Sequence, residues 1–125
     1  GIYTSKASQQ TYTRLQELCT QIIDAGFSVV IDAAFLKHEQ RAPFQLLAER
    51  LAVRFTIIEI TAPAEILRQR IIEREHDVSD ANLAVLEHQL ANYQPLLVSE
   101  QASAITVNTA EALDVDHLLN IVSER

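Results

Sequence analysis

The segment Phe27-Ser28-Val29-Val30-Ile31-Asp32-Ala33-Ala34-Phe35 does most to limit the folds open to this chain. Four of its first five residues are apolar, and a carboxylate follows them. A short apolar run of this kind reads as a strand buried on both faces, as in a parallel sheet. Gly26, just before it, is the expected left-handed stop of a preceding helix. Asp32 then falls at the carboxyl end of the strand, the edge where open α/β sheets bind ligands. A carboxylate there can hold Mg²⁺ through water or accept a proton from a substrate hydroxyl. The plainer alternative is that Asp32 caps the next helix or turns the chain.

Composition narrows the function classes. At 125 residues the chain is long enough for one domain, 1–125, with one core. A net charge of -7 argues against a general affinity for nucleic acid or for an anionic membrane surface. No apolar run has the length of a membrane span, and no signal-peptide pattern opens the chain. The single cysteine, Cys19, cannot build a disulfide framework, so a reducing cytoplasmic setting is expected. The only glycines are Gly1 and Gly26, so the chain holds no glycine-rich phosphate loop. There is no methionine, so the chain as written is not expected to begin at a native initiator.

Periodicity predicts the remaining elements. Thr4 or Ser5 can cap a helix reaching about Ala25, with Tyr12, Leu15, Cys19, Ile22 and Ile23 as its apolar stripe. Cys19 on that stripe reads as core, since no histidine lies near it in sequence to activate it. A second helix is expected over about 39–51, with Pro43 in its first turn or bending it. Arg41, just before that proline, is a candidate phosphate or substrate contact; the plain alternative is a solvated side chain. Residues 54–61 (RFTIIEIT) read as a second strand. A helix follows from Pro63, turning Ile66, Leu67, Ile71 and Ile72 inward. Arg70 and Arg74 lie four residues apart and share one face of it; Glu73 and Glu75 make a salt-bridged surface the plain alternative. Residues 76–80 interrupt the pattern. A helix over about 81–93 carries Leu83, Leu86 and Leu90, residues 104–107 form a third strand, and Asp114 caps a last helix. Helices alternating with strands imply an α/β fold with a parallel sheet. The four histidines show no metal-ligand spacing.

These features resemble the carboxyl-terminal portion of a P-loop kinase or AAA-type ATP-binding protein. The resemblance rests on the strand ending in Asp32, the strand leading to Thr61-Ala62-Pro63, the Leu67-Arg68-Gln69-Arg70-Ile71-Ile72-Glu73-Arg74 helix and the later Leu86-Glu87-His88-Gln89-Leu90. It runs from Ile2-Tyr3 and Thr11-Tyr12 to Val107-Asn108-Thr109. Within that class the chain resembles a group of bacterial ATP-binding proteins of predicted kinase function, often joined to an aminoglycoside-phosphotransferase-like domain. Gluconate and adenylate kinases are more distant. The resemblance implies a three-layer α/β architecture with a parallel sheet between flanking helices. It assigns Arg70 to the nucleotide base and Arg74 to the phosphates as a catalytic lid arginine. Asp32 becomes a catalytic carboxylate that meets Mg²⁺ through water, and residues 76–80 a shortened lid. A planar guanidinium suits both stacking and forked phosphate contact.

The departures are as informative. The family's first strand, its Gly-x-x-x-x-Gly-Lys-Ser/Thr loop and its second strand have no counterpart in this sequence. That loop supplies the amide cradle, the lysine and a Mg²⁺ ligand. The expectation is therefore a partial P-loop domain from an ATP- and Mg²⁺-dependent small-molecule kinase, inactive alone. Its expected partners are nucleotide, a small-molecule substrate, and either a second copy or an upstream segment. The alternative is a non-catalytic, Rossmann-like module that binds a nucleotide or another anion.

Overall fold

The amino-terminal helix and the glycine behind it form as predicted, although Ile22 of the predicted stripe is 38% exposed. The computed structural model describes residues 5–74 and 80–124. Helix α1 spans Ser5–Asp24. Gly26 takes φ +92. Its N–H donates to the Ile23 carbonyl (2.9 Å), and the Phe27 N–H donates to that of Ile22 (3.2 Å). This pair of bonds satisfies carbonyls that the helix end leaves without partners. Helix α2 spans His38–Arg50, with Pro43 in its interior rather than its first turn. At its start the Gln40 side chain accepts the Lys37 N–H (3.1 Å). Its end repeats the α1 arrangement with Ala52, at φ 54, in the glycine position. Ala52 and Val53 donate to the carbonyls of Glu49 and Ala48 (3.2 and 3.0 Å).

The chain divides into two compact units, Gly1–Phe55 and Thr56–Arg125. In the first, α1 packs on α2, and Cys19, Phe44, Leu47 and Ala48 are buried.

The second unit is built on β1, Ile57–Thr61, and β2, Ala104–Asn108. They pair in parallel, as predicted, from Ile57 opposite Ala104 to Thr61 opposite Asn108. Between them run α3 (Ala64–Arg74), α4 (Asp80–Asn92) and α5 (Val98–Gln101), and α6 (Val115–Glu124) follows. Alternation along paired strands puts Ile58, Ile60, Ile105 and Val107 on one face. Glu59, Thr61, Thr106 and Asn108 lie on the other. The Asp114 cap is present: its carboxylate accepts the His117 N–H (3.0 Å). Helix α5 was not expected, because four residues carry no readable period. Glu100, 2% exposed, accepts the Leu97 N–H there (3.0 Å).

Three expectations need correction. Phe27–Ile31 carries no regular secondary structure, and among the described residues no strand ladder includes it. Phe27 is 70% and Val30 89% exposed, so this segment is not buried on both faces. β-Branched residues favour a pleated, half-buried surface, and without hydrogen-bonded neighbours they do not make a strand. The second strand begins at Ile57 rather than Arg54. Ile72 is exposed although predicted to face inward. Adjacent helical residues point about 100° apart, and Ile71 takes the half-buried side. The Thr4 cap and the shortened lid, apart from Asp80, fall outside the described residues. No described helix is long and apolar enough to cross a membrane.

Candidate functional site

In the first unit the interest centres on the segment that carries Asp32. Asp32 itself is exposed. It does not cap α2, because Lys37 directly precedes that helix. Three residues beyond it, Phe35 adopts φ 45, a rare conformation for a bulky side chain. Contacts from both helices hold it there. The Phe35 N–H donates to the Tyr12 hydroxyl (3.0 Å). Its carbonyl accepts Arg41 Nη1 (2.9 Å). Its ring lies 5.1 Å from that of Tyr12 and meets Phe44 edge-on at 5.3 Å. Strained backbone of this kind persists where surroundings over-determine it, and it clusters at ligand sites. Arg41 is only 5% exposed, which overturns the solvated alternative for it. Burial of a guanidinium demands hydrogen-bond acceptors, and the Phe35 carbonyl is one.

In the second unit the arginines of α3 have separate environments. Arg68 makes a forked pair with Glu87 of α4, Nε–Oε1 2.5 Å and Nη2–Oε2 3.1 Å. The hydrogen bond from Arg68 holds the Glu87 carboxyl below the usual glutamate range. Arg70 reaches the carboxyl edge of the sheet: Nη1 donates to Thr109 Oγ1 (2.9 Å) and Nη2 to the Thr109 carbonyl (2.6 Å). Thr109 in turn donates its N–H (2.8 Å) and its hydroxyl (3.1 Å) to the carbonyl of Thr61. Arg74, the last residue of α3, is exposed. Glu73 accepts a hydrogen bond from Gln69 (3.0 Å), so the salt-bridged surface reading fits Arg68 better than its neighbours.

Asp32 and Arg41 thus belong to the first unit, and Arg70 and Arg74 to the second. Three contributors carry no site signal in the sequence: Tyr12, which reads there only as part of the apolar stripe, Phe35, and Thr109. A positive φ at Phe35 leaves no mark in composition, and the Thr109 contact spans 39 positions. Cys19 is buried, and burial pushes its thiol up from its ordinary value, as befits a core residue. A shallow hollow of about 530 Å³ between α1 and α2 is lined by Gln16, Pro43, Leu46, Glu49 and Arg50, none of them a predicted site residue.

The family whose description is "AAA domain" matches residues 2–96, more than half of the chain. The chain belongs to this AAA domain family. The family is P-loop NTPase-like and kinase-related, so the AAA domain chain is assigned to nucleotide-binding domains of the P-loop type. No curated protein and no solved structure matches the chain.

The residues of this AAA domain chain fit Mg-ATP only in part. Among the described residues no group of three His, Cys, Asp or Glu could hold a metal. Mg²⁺ carried by a nucleotide needs only one or two carboxylates beside phosphates and water, so the exposed Asp32 fits an outer contact. The amide cradle for the phosphates is not encoded in this sequence, which has two glycines and no Gly-x-x-x-x-Gly-Lys-Ser/Thr run.

Proposed function

We propose that this chain is the carboxyl-terminal part of an ATP-dependent kinase that phosphorylates a small molecule in the cytoplasm. The observation that carries the reading is the Arg70 guanidinium seated on Thr109 at the carboxyl edge of a parallel sheet, in a chain of the AAA domain family. That edge is where α/β sheets bind ligands. In this reading Arg70 packs against the base, Arg74 faces the phosphates, and Asp32 serves Mg²⁺ through water. Bound Mg²⁺ neutralises charge on the transferring phosphoryl group. Arg41, turned inward on Phe35, supports the Asp32 segment, and any phosphate contact it makes comes second to that.

The same reading explains the exposed apolar residues. Ile58 and Ile60 on β1 are 38% and 69% exposed, and among the described residues β1 pairs with β2 alone. An apolar strand with an open edge invites another strand. We assign that edge to an upstream segment of the same polypeptide or to a second copy, within a three-layer domain completed that way. The decisive experiment is phosphoryl transfer by the complete polypeptide with Arg74→Ala and Asp32→Asn. Both lower turnover about a hundredfold if these groups meet charge that develops in transfer; full turnover in both rejects the assignment.

A further inference from the structure

We propose that Tyr12 is a positioning residue: its hydroxyl latches the Phe35 backbone and thereby sets where the Asp32 carboxylate stands. The inference rests on the reading of Asp32 above and adds what holds that carboxylate in place.

Asp32 does not hold itself. It is exposed, and among the described residues it makes no hydrogen bond or ion pair with the protein. The same is true of the chain around it, residues 28–34, where Ala33 and Ala34 have no polar side chain to offer. A functional group must nevertheless be kept within about 0.5 Å of its productive position. The restraint therefore comes along the backbone from the nearest anchored residue. On the amino-terminal side that is Phe27, whose N–H donates to the Ile22 carbonyl (3.2 Å). Phe35, on the other side, is nearer in sequence to Asp32.

At Phe35 two hydrogen bonds lie on either side of the α-carbon. The N–H donates to the Tyr12 hydroxyl (3.0 Å), and the carbonyl accepts Arg41 Nη1 (2.9 Å). The buried Arg41 fixes the carbonyl side, and Phe44 fixes the ring. The rotation left to control is φ, about the N–Cα bond, and it stands at 45, where an L-residue is disfavoured. The bond to Tyr12 opposes its return to the ordinary negative range, a turn of about 100°. Such a turn swings the preceding arm, Asp32 included, about that axis. The arm from Phe35 to Asp32 is up to about 10 Å long, so the carboxylate moves far beyond the tolerance of a site. Arg41 and Phe44 are 5% and 6% exposed, and replacing either disturbs the core. Tyr12→Phe removes one oxygen and keeps the ring that packs 5.1 Å from that of Phe35.

The test uses the complete polypeptide carrying Tyr12→Phe. Without ligand, amide exchange at Phe35 is expected to speed up about tenfold or more, while exchange at Cys19, in the same helix as Tyr12, stays unchanged. With ligand, calorimetric titration compares Mg-ATP with ATP in EDTA. Tyr12→Phe and Asp32→Asn are each expected to weaken Mg-ATP about fivefold and to leave metal-free ATP within about twofold. The double variant is expected to bind Mg-ATP no more weakly than Asp32→Asn alone, because a latch that acts through Asp32 then has nothing to position. A purely structural role of the tyrosine predicts neither the split between the two ligands nor that coupling. Unchanged exchange at Phe35, equal loss of both ligands, or losses that add in the double variant overturn the inference and leave the reading of Asp32 intact. If Asp32→Asn alone leaves Mg-ATP binding unchanged, the metal role of Asp32 fails and takes this inference with it.

Discussion

Tyr93, just past the end of α4, donates its hydroxyl to Glu59 in the middle of β1. The other oxygen of that carboxylate accepts Thr106 of β2 at 3.0 Å. One side chain therefore ties both strands to the segment that leaves α4. Hydrogen bonds to charged groups contribute more than neutral ones, and partial exposure reduces that. Tyr93→Phe is expected to lower stability by about 1 kcal/mol in urea unfolding, with no change in the slope of the transition. An unchanged midpoint shows that the tie contributes nothing.

Gly26 and Ala52 fill the same left-handed position behind two successive helices, and only one of them is glycine. A left-handed L-residue costs about 1–2 kcal/mol, offset in part by the greater unfolded-state freedom of glycine. Ala52→Gly is therefore expected to stabilise the chain by about 0.5–1 kcal/mol. Gly26→Ala is expected to destabilise it by a similar amount, although an added Cβ meets nothing within 4 Å. Thermal melts of both variants check the pair; shifts of the same sign contradict it.

Glu87 titrates low because Arg68 hydrogen-bonds its ionised form. A carboxyl with a lowered folded pKa stabilises the protein above its unfolded pKa. That contribution is lost as the pH falls through the folded pKa. The link between α3 and α4 is accordingly expected to weaken on acidification below the ordinary glutamate range. Carboxyl NMR should find the Glu87 midpoint below that of an unpaired glutamate, and Arg68→Ala should raise it. A midpoint that ignores Arg68→Ala removes the link.

Much of this fold is legible in the residues. The Tyr12-to-Ile23 stripe apart from Ile22, which is 38% exposed, Gly26 as its stop, parallel pairing of 57–61 with 104–108, and Asp114 as a cap all follow from local rules and are present. What failed was non-local. Phe27–Ile31 has the composition of a buried strand, but composition does not supply a partner, and among the described residues the segment pairs with no strand. The environments of the site residues were hidden for the same reason. The sequence leaves Arg41 open between a phosphate or substrate contact and a solvated side chain, because its Phe35 acceptor leaves no mark there, and it shows no link between Arg70 and Thr109.

The open edge of β1 and the exposed Ile58 and Ile60 lead to an expectation about association. Light scattering of the isolated chain should show a mass that rises with concentration, and substituting lysine for Ile60 should suppress the rise. A cooperative monomer at all concentrations argues that this edge is already satisfied.

The central claim is that the chain supplies the base-side and lid-side groups of a nucleotide site while its phosphate loop lies elsewhere in the polypeptide. Titrating Mg-ATP into the 125-residue chain and into the complete polypeptide tests it most directly. The account predicts a dissociation constant of about 1 mM or weaker for the chain and about 1–100 μM for the complete polypeptide. Low-micromolar binding by the chain alone, or none by the complete polypeptide, contradicts it.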